Sequence, residues 1–98
     1  MAMFHVTLRQ TGPEYDPELE LGEQTRFAEH AAYMNQLVDE GHIVLGGLLP
    51  HLRTAHAMEA ESEDEIRELW SRDPWYESHL IVESIEPWDI RLDARQAD

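Results

Sequence analysis

The chain has 98 residues, enough for one hydrophobic core, and its hydrophobic share of 42% is that of a globular rather than a disordered protein. Asp and Glu number 21 against 7 basic residues, all arginine, and the net charge of −14 disfavours nucleic acid and anionic membranes as partners. Without cysteine or lysine there are no disulfides, thiol nucleophiles, thiolate metal sites or lysine Schiff bases.

No stretch approaches the ~20 apolar residues of a membrane span, and no basic-then-apolar segment opens the chain, so a cytoplasmic location is expected. The all-arginine basic set reads as a lysine-poor genome with a solvated acidic surface, with adaptation to high salt as the alternative. Met3-Phe4-His5-Val6-Thr7-Leu8-Arg9 then alternates with the period of a half-buried strand, Phe4, Val6 and Leu8 on one face and Met3, His5, Thr7 and Arg9 on the other. Thr11-Gly12-Pro13 breaks it and opens a long acidic loop to about Gln24. Tyr15, Leu19 and Leu21 give that loop apolar anchors, which predicts a lid.

From Thr25 to Glu40 the period is helical, with Phe27, His30, Ala31, Met34, Leu37 and Val38 on one arc and Gly41 as terminator. Ile43 to Leu49 is a continuous apolar run of strand length closed by Pro50, and Arg53 to Glu59 makes a third strand. Ser62-Glu63-Asp64-Glu65 has the spacing of a capping box for a second helix that buries Ile66, Leu69 and Trp70. Asp73-Pro74 suits the start of a further short helix. Leu80 to Ile90 forms the last strand, interrupted at Pro87, before a polar, frayed tail from Asp93 to Asp98.

Strand, helix, two strands, helix, strand is an α+β order, one sheet with both helices on one side. Ile43-Val44-Leu45 and Leu80-Ile81-Val82 are nevertheless apolar on consecutive residues, the pattern of strands covered on both faces. The chain has no third layer, so a second copy packed sheet to sheet, a homodimer, is expected.

Two segments carry a family resemblance. Glu29-His30-Ala31-Ala32-Tyr33-Met34 through Gly41-His42-Ile43-Val44-Leu45-Gly46-Gly47 resembles the first half of a YCII-related domain. Glu59-Ala60-Glu61-Ser62 to Asp73-Pro74-Trp75, then Ile85-Glu86-Pro87-Trp88, resembles its second half, and together they span residues 3–92. The resemblance implies a ferredoxin-like βαββαβ fold paired into a dimeric α/β barrel, with a cavity between the sheets and a His–Asp pair at His30 and Asp73. Some relatives take part in degrading chlorinated aromatic compounds, and most have no assigned substrate. His79 stands where the family usually has glycine.

His30 lies on the apolar arc of its helix, where it is either a core histidine or a general acid/base; Asp73 is either a helix cap or the group that fixes the His30 tautomer. Both roles are open to both residues. His5 and Arg9, with Thr7 between them, are candidate ligand contacts if their sheet face looks into the dimer cavity, as are Tyr15, Tyr33 and Gly47. No metal-binding spacing occurs among the histidines, and Gly46-Gly47 lacks the rest of a phosphate loop, so neither metal nor cofactor is expected. The expectation is a cofactor-independent lyase, isomerase or dehalogenase acting on a small aromatic or lactone-like molecule. The alternative is a non-catalytic dimeric module that binds a small molecule in the same cavity.

Overall fold

A computed structural model describes residues 1–95. Four strands, β1 (Ala2–Arg9), β2 (Ile43–Leu49), β3 (Arg53–Ala60) and β4 (Ile81–Pro87), form one antiparallel sheet in the order β2-β3-β1-β4. With helices α1 (Phe27–Asp39) and α2 (Glu63–Ser71) the chain has the ferredoxin-like βαββαβ architecture expected from its sequence. Strand β1 is central because its Phe4-Val6-Leu8 stripe is the most fully buried strand face. Val6 sits opposite His56 on β3 and Ile85 on β4, so the register puts Thr54, His56 and Met58 on the same face. Leu37 of α1 and Ile66, Leu69 and Trp70 of α2 close over that face to make the core.

Local signals end the helices much as the residues require. Gly41 adopts φ 81°, His42 N–H donates to Leu37 O at 2.9 Å and Gly41 N–H to Val38 O at 3.0 Å, a Schellman closure of α1. Ser62 Oγ accepts from Glu65 N–H at 3.2 Å, but the Glu65 carboxylate returns to Glu61 N–H at 2.7 Å, one residue earlier than a regular capping box. Two expected features differ. The segment after Pro74 forms a chain of turns rather than a helix, with Ser78, His79 and Leu80 N–H all within 3.1 Å of Trp75 O. Strand β4 ends at Pro87, which has no N–H of its own to give, with one further backbone bond from Trp88 N–H to Met3 O at 2.9 Å. Of the tail expected to fray over residues 93–98, the part beyond Arg95 lies outside the described residues.

The arc of α1 is less buried than its periodicity predicts. Leu37 is its one buried residue, and Val38 is 51% exposed. Part of the reason lies across from it: Gly46 of β2, opposite His56, sends no side chain up on the helix side of the sheet, and the unfilled space is a cavity of about 490 Å³.

Candidate functional site

The cavity lies between α1 and the β2 end of the sheet, walled by Met34, Val38, Ile43, Trp70, Trp75 and Leu80. Its polar side chains are Gln10, His30, Asn35, Thr54 and His56, so it is an apolar pocket with a few oriented polar groups, the usual makeup of a small-molecule site. Val38, Leu45 and Leu48 keep 51%, 74% and 63% of their surface exposed at its rim.

His30 reaches this cavity from the first turn of α1. Its Nδ1 lies 2.9 Å from both Oδ1 and Oδ2 of Asp73, and the Asp73 carboxylate is fully buried. A carboxylate only accepts, so Nδ1 carries the proton, and in the neutral imidazole Nε2 has the free lone pair. Asp73 is also a cap: its Oδ1 accepts from Trp75 N–H at 3.0 Å, so the structural and orienting roles coexist. That cap sets the turn that presents Trp75, whose indole stacks on the His30 ring with centroids 4.0 Å and planes 6° apart. The contacts form a closed circuit, Asp73 to Trp75 to His30 and back to Asp73. The Trp75 indole N–H donates to Thr25 O at 2.8 Å, which fixes the third side of the arrangement.

His79, the departure from the family's glycine, backs the same indole with centroids 4.7 Å apart and planes at 17°. Two imidazoles that close to one indole centroid cannot share a face without overlapping, so Trp75 is sandwiched between His30 and His79. No left-handed backbone is needed at His79; Glu77, with φ 59°, supplies it instead. The His79 ring is fully buried, with Thr25 Oγ1 2.9 Å from Nε2 and Ser78 Oγ 3.0 Å from Nδ1, and burial lowers its pKa, which keeps it neutral. The long loop is tied to this turn. Gly12 N–H donates to His79 O, and a Cβ at Gly12 would come within 2.4 Å of Ser78 O, so only glycine passes there.

The other residues singled out from sequence divide. Gly47 lines the cavity with His30. His5 and Arg9 do not, because they project from the opposite sheet face. There His5 meets the Trp88 ring edge-on at 5.2 Å, Arg9 pairs with Glu83, and the Thr7 and Ser84 hydroxyls lie 2.6 Å apart. Tyr33 is committed elsewhere: its hydroxyl donates to Leu69 O at 2.6 Å, clamping α1 to α2, and burial raises its pKa. Tyr15 is half-buried and stands outside the cavity wall, to which the loop contributes Leu21. Gln24 organises that loop, donating to Asp16 O and Leu19 O and accepting from Asp16 N–H.

His56 and Thr54 are the residues that sequence reading passed over. Their inward orientation follows from the β3 alternation Thr54-His56-Met58, but the intervening alanines blur it. Gly46 was the other signal, since a glycine inside an apolar strand marks a close approach. A Cβ there would lie 2.5 Å from His56 Cδ2, so the missing side chain makes room for the imidazole. His56 Nδ1 and Thr54 Oγ1 are buried with no hydrogen-bond partner among the described residues. Burial above all, then the neighbouring His30, pushes the His56 pKa down to about 4 against a small opposing pull from Asp73. Among the described residues no three His, Asp or Glu side chains gather in a metal-binding cluster, and no helix is long and apolar enough to cross a membrane.

A ferredoxin-like sheet whose first helix and post-α2 turn join a histidine to an aspartate beside a pocket defines the class. The match to the family model follows it over residues 3–89: the chain belongs to the YCII-related domain family. A search of the curated proteins finds no matching relative.

Proposed function

We propose that the chain binds a compact, largely apolar molecule in the cavity beside His30 and moves a proton on it. His30 Nε2 acts as the general base, and Asp73 holds the tautomer and balances the imidazolium that forms. The observation that carries this reading is the Nδ1–carboxylate contact of 2.9 Å on a histidine that lines an apolar cavity. Proton abstraction next to a carbonyl, or loss of a leaving group after it, needs little more than such a base and a dry pocket. The test is proton exchange in D2O with a panel of small aryl ketones and lactones, followed by NMR. Wild type should exchange the carbon-bound proton of a panel member that binds, and His30→Ala should remain folded and lose the exchange. Tight binding without any exchange would instead favour a binding module.

We further propose that the working unit is a homodimer joined through the sheet face that carries no helices. Leu45, Leu49 and Trp88 are exposed there beside His5, Ala55 and Ala57, around a second depression of about 310 Å³. Apolar surface of this kind on a sheet is a common mark of association. Light scattering at micromolar concentration should return the mass of two chains, and a monodisperse single chain would overturn the pairing.

A further inference from the structure

We propose that His56 is the hydrogen-bond donor of the cavity, presenting Nε2–H to a carbonyl oxygen, so that the ligand class is a compact enolisable carbonyl compound. The inference rests on the reading of the cavity as a small-molecule site with His30 as base.

The tautomer follows from the environment of the ring. Nδ1 is sealed in the protein without a partner, and a buried N–H left unpaired is rarer and costlier than an unpaired acceptor. The proton therefore sits on Nε2. That nitrogen makes no hydrogen bond among the described residues, and its edge of the ring leans over Gly46, where a Cβ would lie 3.1 Å from it. A side chain at position 46 would cover this edge; glycine leaves it open to the cavity. Trp70, edge to face with the imidazole at 5.0 Å, fixes the ring from the other side.

The charged and titratable neighbours acting on His56 are His30 and Asp73, and a pKa near 4 leaves the ring neutral at working pH. A neutral imidazole is still a donor, and it does not surrender its proton to solvent while it donates. The cavity thus carries two imidazoles of opposite polarity, His30 with a lone pair at Nε2 and His56 with N–H at Nε2. A ligand that satisfies both has a carbonyl oxygen for His56 and, next to it, a removable proton for His30. The step balances within the pair. The C–H proton goes to His30 Nε2, the C–H electron pair becomes the enolate double bond, and the carbonyl oxygen takes the charge and a stronger hydrogen bond from His56. Return of the proton to the opposite face of the same carbon, or to the γ-carbon where the ligand is a β,γ-unsaturated ketone that gives a dienolate, completes an isomerisation without oxidant or cofactor.

Two measurements on the full chain test this. Long-range ¹H–¹⁵N spectra of histidine-labelled protein should show His56 protonated at Nε2 and bare at Nδ1; the opposite tautomer overturns the proposal without any variant. In titrations, acetophenone should bind wild type roughly tenfold more tightly than α-methylstyrene, the isostere without oxygen. The preference should vanish in His56→Phe and survive in His30→Gln. Equal affinity of wild type for both probes overturns the donor role while leaving the cavity reading intact. Failure of both probes to bind overturns the two together.

Discussion

Trp75 lies flat against His30, the centroids 4.0 Å apart, and holds the imidazole in the plane from which Nδ1 meets Asp73. The indole is therefore both core and positioning element. Trp75→Ala should cost about 3–5 kcal/mol of stability, the range for truncating a buried aromatic. Trp75→Phe keeps a stacking face and loses the hydrogen bond to Thr25 O, so about 1 kcal/mol is expected. Denaturation midpoints check both; a tolerated alanine would show that the sandwich is not part of the core.

The depressed His56 pKa makes a statement about acid stability. An unfolded histidine binds a proton near pH 6.5, whereas folded His56 resists protonation until about pH 4. Between those values the unfolded chain holds more protons, so stability is full above pH 6.5 and falls as pH drops through the window. At pH 5 the loss from this residue is about 2 kcal/mol. His79 is shifted in the same direction by burial and stays in place in a His56→Phe variant. Comparing wild type and variant from pH 7 to 5 therefore isolates His56, and the variant should lose about 2 kcal/mol less. Parallel curves would contradict a buried neutral His56.

The β2–β3 hairpin places His51 and Leu52 at φ 67° and 58°, a left-handed pair without glycine. Such a conformation costs a non-glycine residue roughly 1–2 kcal/mol, while glycine adds about 0.5–1 kcal/mol of unfolded-state entropy to overcome. Leu52→Gly should leave the contact from Gln10 N–H to Leu52 O intact and raise stability by up to about 1 kcal/mol. A raised urea midpoint at unchanged slope is the expected result, and a fall would mean that the Leu52 side chain contributes more than the strain removes.

Much of the fold was legible because short-range chemistry set it. The Phe4-Val6-Leu8 alternation, the Gly41 stop and the Ser62 cap each act over a few residues, and each appears where periodicity placed it. The His30–Asp73 contact was legible through family resemblance rather than spacing, since the two residues are 43 positions apart and meet only once α1 and the post-α2 turn pack. His56 escaped notice because its role depends on a residue across the sheet that has no side chain. The Phe4-Val6-Leu8 alternation also placed His5 and Arg9 on the opposite sheet face, where the structure has them; their role as ligand contacts depends on that face meeting a second copy.

The most direct test of the central claim, that Asp73 fixes His30 with a free acceptor in the cavity, is the ¹⁵N spectrum of His30 in wild type and in Asp73→Asn. Wild type should show the proton on Nδ1, strongly hydrogen-bonded, and a bare Nε2 whose shift moves when acetophenone is added. Asp73→Asn keeps an acceptor for Trp75 N–H and can turn its amide N–H toward the ring, so His30 should switch to the Nε2–H tautomer with stability changed by about 1 kcal/mol. A wild-type His30 already protonated at Nε2, or one indifferent to both the substitution and the ligand, would contradict the account.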